Sequence, residues 1–174
     1  MPTLAHILSI TAPVSALLRK ARRLGVGDIH DIIDLAVSRG CNHYSTGHRI
    51  EKERPSSSQL TDDELTILLL IGENPYQPTA IRCAAQMARS TKVDPISLSR
   101  LAVMEKTERV LAHIARAGIN HDSLGHDFWQ VILDHLPREQ PRPEPDLPHW
   151  TRFVSMAGRQ RHGVTETRWL VPTQ

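Results

Sequence analysis

Apolar residues recur at helical spacing along most of the chain, and this pattern predicts a mainly α-helical fold. Between residues 13 and 24 they fall at i, i+3, i+4, i+7 and i+10, opposite a basic face. The same period continues from Asp28, a suitable N-cap, to Gly40, a suitable left-handed C-terminal stop. The first part of the chain therefore predicts two antiparallel helices joined by a glycine-containing turn.

Capping signals mark further helices in the middle of the chain. Thr61 and Glu64 have the spacing of a capping box, and the dipeptide Asp94-Pro95 supplies an N-cap followed by proline at the first helical position. The segment after Lys106 either continues that helix or restarts at Thr107, and it is predicted to end at Gly118. The predicted helices cover residues 3–10, 13–24, 28–39, 61–71, 79–90, 95–106, 107–117 and 127–136. The last of them is apolar on nearly every side, which indicates central burial.

The C-terminal part follows a different pattern. Five of the twelve prolines lie between Pro137 and Pro148, which predicts an extended strap reaching about 35 Å if it is fully polyproline II. Strand-like composition at 151–157 and 164–171, around a glycine-bounded turn, predicts a β-hairpin. A two-stranded hairpin is marginal alone. We therefore expect three aromatic residues to pin it to the helices or to a partner: Trp150, Phe153 and Trp169.

Together these elements predict a single-domain helical bundle. A helical domain of six to seven helices covers residues 1–136, the Pro-rich strap covers 137–150, and the hairpin, packed on the helices, covers 151–174. The length of 174 residues is in the usual range for one domain.

Composition limits the cellular environments in which the protein is expected. No run approaches the about 18 apolar residues that a membrane-spanning helix needs, so no membrane association is expected. Cys41 and Cys83 are the only cysteines, which argues against a disulfide scaffold and favours free thiols in a reducing, cytoplasmic compartment. The net charge of +2 is uneven, because both ends of the chain are basic and the middle is acidic. Such asymmetry can favour an anionic partner.

A nucleic-acid interface is one hypothesis for the basic residues. The helix pair 79–90 and 95–106 is similar in outline to a helix-turn-helix, and polar side chains of its second helix could contact bases and phosphates. The earlier pair, 13–24 and 28–39, has the same outline, but three aspartates on its second helix would repel phosphates. The candidate nucleic-acid residues are Ser97, Ser99, Arg100 and Lys106, the hairpin-tip residues Arg159 and Arg161, and the α-helical Arg19, Arg22 and Arg23.

Two groups of residues have metal-ligand chemistry. Cys41, His43 and His48 are of zinc-ligand type, but structural zinc sites take four ligands, so Cys83 would have to supply the fourth. His121, Asp122 and His126 are similar in type to the ligands of metal-dependent phosphohydrolases. For the second group, capping of a helix is the preferred interpretation, because the aspartates lie where an N-cap is expected.

No Gly-x-Ser-x-Gly elbow, P-loop or dinucleotide fingerprint occurs, which disfavours a hydrolase or nucleotide-dependent enzyme, and no cofactor is expected. The first hypothesis is therefore a non-catalytic helical interaction or adaptor protein that binds a protein partner or a second copy of itself through the C-terminal hairpin. The alternative is a DNA-binding regulator that uses the pair 79–90 and 95–106 with the basic hairpin tip. The third hypothesis is a metal-dependent enzyme that uses His121, Asp122 and His126.

Overall fold

Seven α-helices and a short hairpin account for the regular structure in a computed structural model, which describes residues 15–44, 59–71, 77–138, 147–156 and 167–173. The helices are α1 Ala16–Arg23, α2 Ile29–Ser38, α3 Asp62–Leu70, α4 Pro78–Met87, α5 Pro95–Met104, α6 Glu108–His121 and α7 His126–His135. The mainly α fold with a C-terminal hairpin is confirmed. The predicted helix 3–10, the hairpin tip and most of the strap lie outside the described residues.

The predicted caps at Asp28, Thr61 and Asp94 are confirmed, whereas α1 begins at Ala16 and not at residue 13, and α7 begins at His126 after Gly125 and not at Asp127. Asp28 and Asp31 form a capping box at α2, and Thr61 and Glu64 form one at α3. The Asp94 carboxylate accepts a hydrogen bond of 2.7 Å from the backbone N–H of Ser97 at α5. Each cap satisfies backbone donors that the helix itself leaves open, so these starts follow from residues at most three positions apart.

Replacing Thr61 by alanine is expected to lower the free energy of unfolding by about 1 kcal/mol, the usual cost of losing such a cap. The Thr61 hydroxyl accepts from the Glu64 N–H, and the Glu64 carboxylate accepts from the Thr61 N–H. Urea denaturation measures the change. Thr79→Ala, at an exposed position in the first turn of α4, is the matched control and should change stability by less than about 0.5 kcal/mol. Equal effects at both positions would contradict the role of the cap.

Helix α3 lies at the centre of the bundle. Every residue from Leu65 to Leu70 is buried, and α3 packs against α1, α2, α4 and α5. The prediction that the last helix occupies the centre is wrong. Helix α7 packs on α5 and α6 and buries Trp129 and Ile132, whereas Phe128 is among its half-buried side chains. Apolar residues on several sides of α7 are therefore only partly covered.

A break separates α5 from α6, so of the two alternatives that the sequence left open the structure shows the restart at Thr107. Lys106 adopts a positive φ of 59°, and Thr107 precedes the first residue of α6. The prediction that Gly118 ends this helix is wrong, because α6 continues to His121. A Cβ atom at Gly118 would lie 2.4 Å from ring atoms of Trp129, so glycine is needed here for close packing of the indole and not as a helix stop.

The hairpin consists of β1 Val154–Met156 and β2 Thr167–Trp169, which pair antiparallel with Val154 opposite Trp169. Trp169 is buried, and its Nε1–H donates to the Ala85 carbonyl of α4 at 3.1 Å. Beyond β2, the Thr173 N–H donates to the Gly40 carbonyl at 3.0 Å. The end of the described chain is thus attached to α4 and to the end of α2.

The described end of the predicted strap lies along α6. His113 Nε2 is 2.9 Å from the Pro148 carbonyl, and because that oxygen only accepts, Nε2 carries the proton of this hydrogen bond. The rings of His121 and Trp150 stack with centroids 3.7 Å apart and planes 10° apart. Two histidines of α6 therefore hold the segment that leads into the hairpin.

None of the helices in the described ranges is both long and apolar enough to cross a membrane. The buried apolar residues of the helices and of the hairpin form one hydrophobic core, which extends from Leu17 in α1 to Trp169 in β2. The hairpin is consequently an integral part of the core.

Candidate functional site

Asp122 is a buried structural carboxylate. Its Oδ2 accepts hydrogen bonds from Arg89 Nε at 2.7 Å and from Trp129 Nε1 at 2.8 Å, and its Oδ1 accepts from the Gly125 N–H at 3.0 Å. It follows the last residue of α6 and joins the end of α4 to the start of α7. The expected role as an N-cap is wrong, because Gly125 occupies that position at α7 and Asp122 acts across three helices instead.

His121 and His126, the two histidines near Asp122 in sequence, do not converge with it on a common point. The His121 ring stacks on Trp150, and His126 lies exposed beside Asp127 at 3.3 Å. In the part of the chain that the structure describes, no three His, Cys, Asp or Glu side chains converge as a metal site. The geometry therefore supplies no support for metal chemistry at this segment.

The residues considered as zinc ligands also diverge. Cys41 is buried, with Sγ 3.7 Å from Met87 Sδ, whereas His43 is exposed and its ring lies edge-on to Tyr44 at 5.1 Å. His48 lies outside the described residues. Cys41 lies beside Cys83, which the zinc hypothesis needed as its fourth ligand. Both cysteines belong to a sulfur-rich part of the core.

The aromatic residues considered as partner contacts pack mainly on the chain itself. Phe153 and Trp169 are buried in the core, and their ring centroids lie 5.5 Å apart. Trp150 is half-buried against His121. The first two side chains are not exposed to a partner, so the hairpin presents little of the aromatic surface that self-association through it would need.

Helix α5 has an exposed face that is both basic and apolar. Leu98, Ser99 and Ala102 face the core, and the Ser99 hydroxyl donates to the Pro95 carbonyl at 2.7 Å, so Ser99 is not accessible to a nucleic acid. The exposed face carries Ser97, Arg100, Val103 and Met104. The relative exposure of Met104 is 75% and that of Val103 is 42%, which is unusual for apolar side chains on a packed helix.

A hydrogen-bonded contact joins this end of α5 to the start of α1. Glu105, directly after Met104, accepts from the hydroxyl of Ser15 and from the Leu17 N–H at 3.2 Å. Ser15 is also the N-cap of α1, accepting from the Leu18 N–H. Arg19 is one helical turn further along α1 from Ser15, and it is exposed.

The contact between Ser15 and Glu105 brings the start of α1 next to the end of α5, and both helices carry exposed cations. Lys20 differs from its neighbours, because its Nζ pairs with Glu64 at 2.7 Å. We call the exposed residues of this region the junction surface: Arg19, Arg22 and Arg23 of α1, and Arg100, Val103, Met104 and Lys106 at the end of α5. The candidate residues Arg159 and Arg161 of the hairpin tip lie outside the described ranges.

The opposite end of α5 is acidic. Hydrogen bonds from Ser97, first from its backbone N–H, lower the pKa of the exposed Asp94 carboxyl, which is therefore ionised at neutral pH. Asp63 lies beside it, accepting from the Asp94 N–H at 3.2 Å, and burial raises the pKa of Asp63. The surface of α5 thus changes from acidic at its start to basic and apolar at its end.

Sequence reasoning found the cations of the junction surface but missed its apolar part. Leu98 and Ala102, four residues apart, define the buried stripe of α5. Val103 and Met104 follow at about 100° and 200° from Ala102 around the helix, so the helical period itself indicated that they leave the stripe. Neither residue has chemistry that would single it out alone.

No known protein family, curated protein or solved structure matches this chain.

Proposed function

We propose that the protein is a non-catalytic interaction protein that binds an acidic, partly apolar segment of a protein partner at the junction surface. The observation that supports this function is the exposure of Met104 and Val103 on a surface that also carries exposed basic residues, Arg100 and Lys106 near the end of α5 and the arginines of α1. Exposed apolar residues beside basic ones fit a ligand that offers apolar side chains flanked by carboxylates.

The two kinds of contact would contribute differently. Full burial of a valine or methionine side chain is worth about 1.5–3 kcal/mol, so Met104, with most of its surface exposed, is the expected anchor. Exposed ion pairs contribute less, about 0.2–1 kcal/mol each, but they accelerate association and select the sign of the partner's charge. Binding should therefore depend on Met104 for strength and on the cations for specificity.

Duplex DNA fits the described surface less well. Recognition helices of helix-turn-helix proteins place their N-terminal residues against bases. The N-terminus of α5 carries the ionised Asp94 with Asp63 beside it, and both would lie near phosphates in such a complex. Ser99 is buried, and α4 and α5 both pack on α3. These features favour an acidic protein segment over duplex DNA as the ligand of the junction surface. Binding of DNA is therefore the alternative outcome of the experiment that follows.

Fluorescence anisotropy with the full chain and a labelled amphipathic peptide, rich in leucine and glutamate, tests the proposal. Met104→Asp should weaken binding by about 10-fold or more, since it removes the apolar contact and adds a repelling charge. Arg100→Glu should weaken binding and flatten its dependence on salt. Leu124→Asp is the matched control, because Leu124 is an apolar residue with 93% exposure in the turn between α6 and α7.

Peptide binding that is unchanged by both Met104→Asp and Arg100→Glu would overturn the proposal. Tighter binding of a 20-base-pair duplex than of the peptide, lost in Arg100→Glu, would replace it with the DNA-binding alternative. A chain that binds neither probe at low ionic strength would also count against the junction surface as an anionic binding site.

A further inference from the structure

Three sulfur atoms converge in the core between α2 and α4. Cys83 and Met87 are four residues apart on α4 and therefore share one face of the helix. Cys41, directly after Gly40, places its Sγ 3.7 Å from Met87 Sδ and 4.0 Å from the Cys83 carbonyl oxygen. Interaction with the Cys41 side chain raises the pKa of the Cys83 thiol, so the two cysteines lie side by side. All three side chains are fully buried.

The geometry of these sulfur atoms points to a binding site for a soft monovalent metal, and we propose that Cys41, Cys83 and Met87 bind Cu(I). Thiolate and thioether ligands are soft and suit Cu(I), as well as zinc and iron–sulfur clusters. With metal–sulfur bonds of about 2.3 Å, as in zinc thiolates, and angles of about 110–120°, two sulfur ligands lie about 3.8–4.0 Å apart. The Cys41–Met87 separation of 3.7 Å is close to that spacing before any metal enters.

Zinc fits this arrangement less well than Cu(I). Structural zinc sites take four nitrogen, sulfur or oxygen ligands, and no group of three His, Cys, Asp or Glu side chains converges within the described ranges. His43, the nearest histidine in sequence to Cys41, is exposed with its ring against Tyr44. The donor set that remains is two thiols and one thioether, which is soft and three-coordinate.

A positive charge is carried by Arg82, which directly precedes Cys83 on α4. Arg82, Cys83 and Cys41 all act electrostatically on the Tyr44 hydroxyl, so the four residues lie in one part of the molecule. Arg82 Nε is buried, and it has no hydrogen-bond partner among the residues that are described. Two thiolates and one Cu(I) carry a net charge of −1, and the Arg82 guanidinium would balance it. A buried charge needs such compensation to be tolerated.

Loading of the site is an exchange of protons for metal, without change of oxidation state. The Cys41 and Cys83 S–H bonds break, two S–Cu bonds form, the Met87 thioether donates a lone pair, and two protons leave to solvent. The hydrogen bond with Cys41, followed by burial, raises the pKa of the Cys83 thiol.

Competition with the Cu(I) chelator bicinchoninate tests the proposal on the full, reduced chain under anaerobic conditions. The wild-type chain should withdraw one Cu(I) per molecule, with X-ray absorption showing sulfur neighbours alone and calorimetry showing release of about two protons. Met87→Leu conserves volume and should fold, yet lower the affinity by more than the about 10-fold that even outer-shell changes cost. Met104→Leu, which changes an exposed methionine, is the matched control and should bind as the wild type does.

Failure of the wild-type chain to withdraw Cu(I) from the chelator would overturn the proposal. So would bound copper with nitrogen or oxygen neighbours, or a Met87→Leu variant with unchanged affinity. Cys41→Ser and Cys83→Ser should abolish binding, and circular dichroism of each variant without metal shows whether it folds. If either serine variant is unfolded, Met87→Leu and the absorption spectrum of the wild-type protein still decide the question.

Discussion

Replacing Asp122 by alanine is expected to lower the free energy of unfolding by about 3–5 kcal/mol, the cost of leaving a buried charge without its partner. Asp122 is 5% exposed at its side chain, and Arg89, its partner, is 18% exposed. The substitution also leaves the Trp129 indole N–H and the Gly125 N–H without their acceptor. Three groups, one on α7 and two in turns, lose their hydrogen-bond partner together, so the effect exceeds that of one hydrogen bond.

Urea denaturation followed by circular dichroism measures this loss. Asp127→Ala removes the same functional group five residues away, at a fully exposed side chain, and should cost less than about 1 kcal/mol. Asp122→Asn keeps an acceptor for Trp129 and removes the charge, so its loss should lie between those of the two alanine variants. Equal stability of the Asp122→Ala and Asp127→Ala proteins would show that the buried network is not important for the fold.

The features that the sequence predicted correctly are local. The caps at Asp28, Thr61 and Asp94 each join groups at most three residues apart, and the left-handed turn at Gly40, with φ of 108°, requires a residue without Cβ. Interactions of this range depend on neighbours that can be read along the chain, so they hold whatever the tertiary fold is.

Features that depend on distant residues were missed or misassigned. Asp122 follows a helix and precedes another, so it has the sequence context of a cap, but its partner Arg89 is 33 positions away. The relative burial of α3 and α7 could not be decided either, since both are rich in apolar residues. Contacts with four helices cover α3, whereas α7 packs mainly on two. The number of neighbours is a property of the topology and not of either segment.

In the candidate sites, too, the local features were predictable from the sequence and the contacts between distant residues were not. The exposed arginines of α1 were predictable from residue type and helical period, but the contact that joins α1 to the end of α5 runs from Ser15 to Glu105, 90 positions apart. The sulfur cluster combines a local signal, Cys83 and Met87 at i and i+4, with Cys41 from a separate segment. The zinc hypothesis grouped Cys41 with His43 and His48, which are near it in sequence. The fold instead brings Cys41 next to Cys83 and Met87.

Replacing Gly118 by alanine is expected to destabilise the protein by about 1–3 kcal/mol, the usual cost of overpacking a core. On an open helix the same change would stabilise, because alanine is favoured over glycine by about 1 kcal/mol in a helix interior. At Gly118 a Cβ atom would lie 2.4 Å from Trp129 Cδ1 and Nε1, and Trp129 is fully buried. The indole can move only by straining its hydrogen bond to Asp122, so packing should outweigh helix propensity.

The sign of the change distinguishes the two effects. Gly27→Ala is the control, because a Cβ atom there meets nothing closer than 3.7 Å and the substitution should be neutral or stabilise by up to about 1 kcal/mol through the unfolded chain. Thermal unfolding of both variants, followed by tryptophan fluorescence, measures stability. The emission maximum of the folded protein reports at the same time on the surroundings of its three tryptophans, of which Trp129 is the one next to Gly118. A Gly118→Ala protein as stable as the wild type, with an unchanged emission maximum, would mean that the added methyl group is accommodated between α6 and α7 without cost. The close approach of these two helices at Trp129 would then not determine where α7 packs.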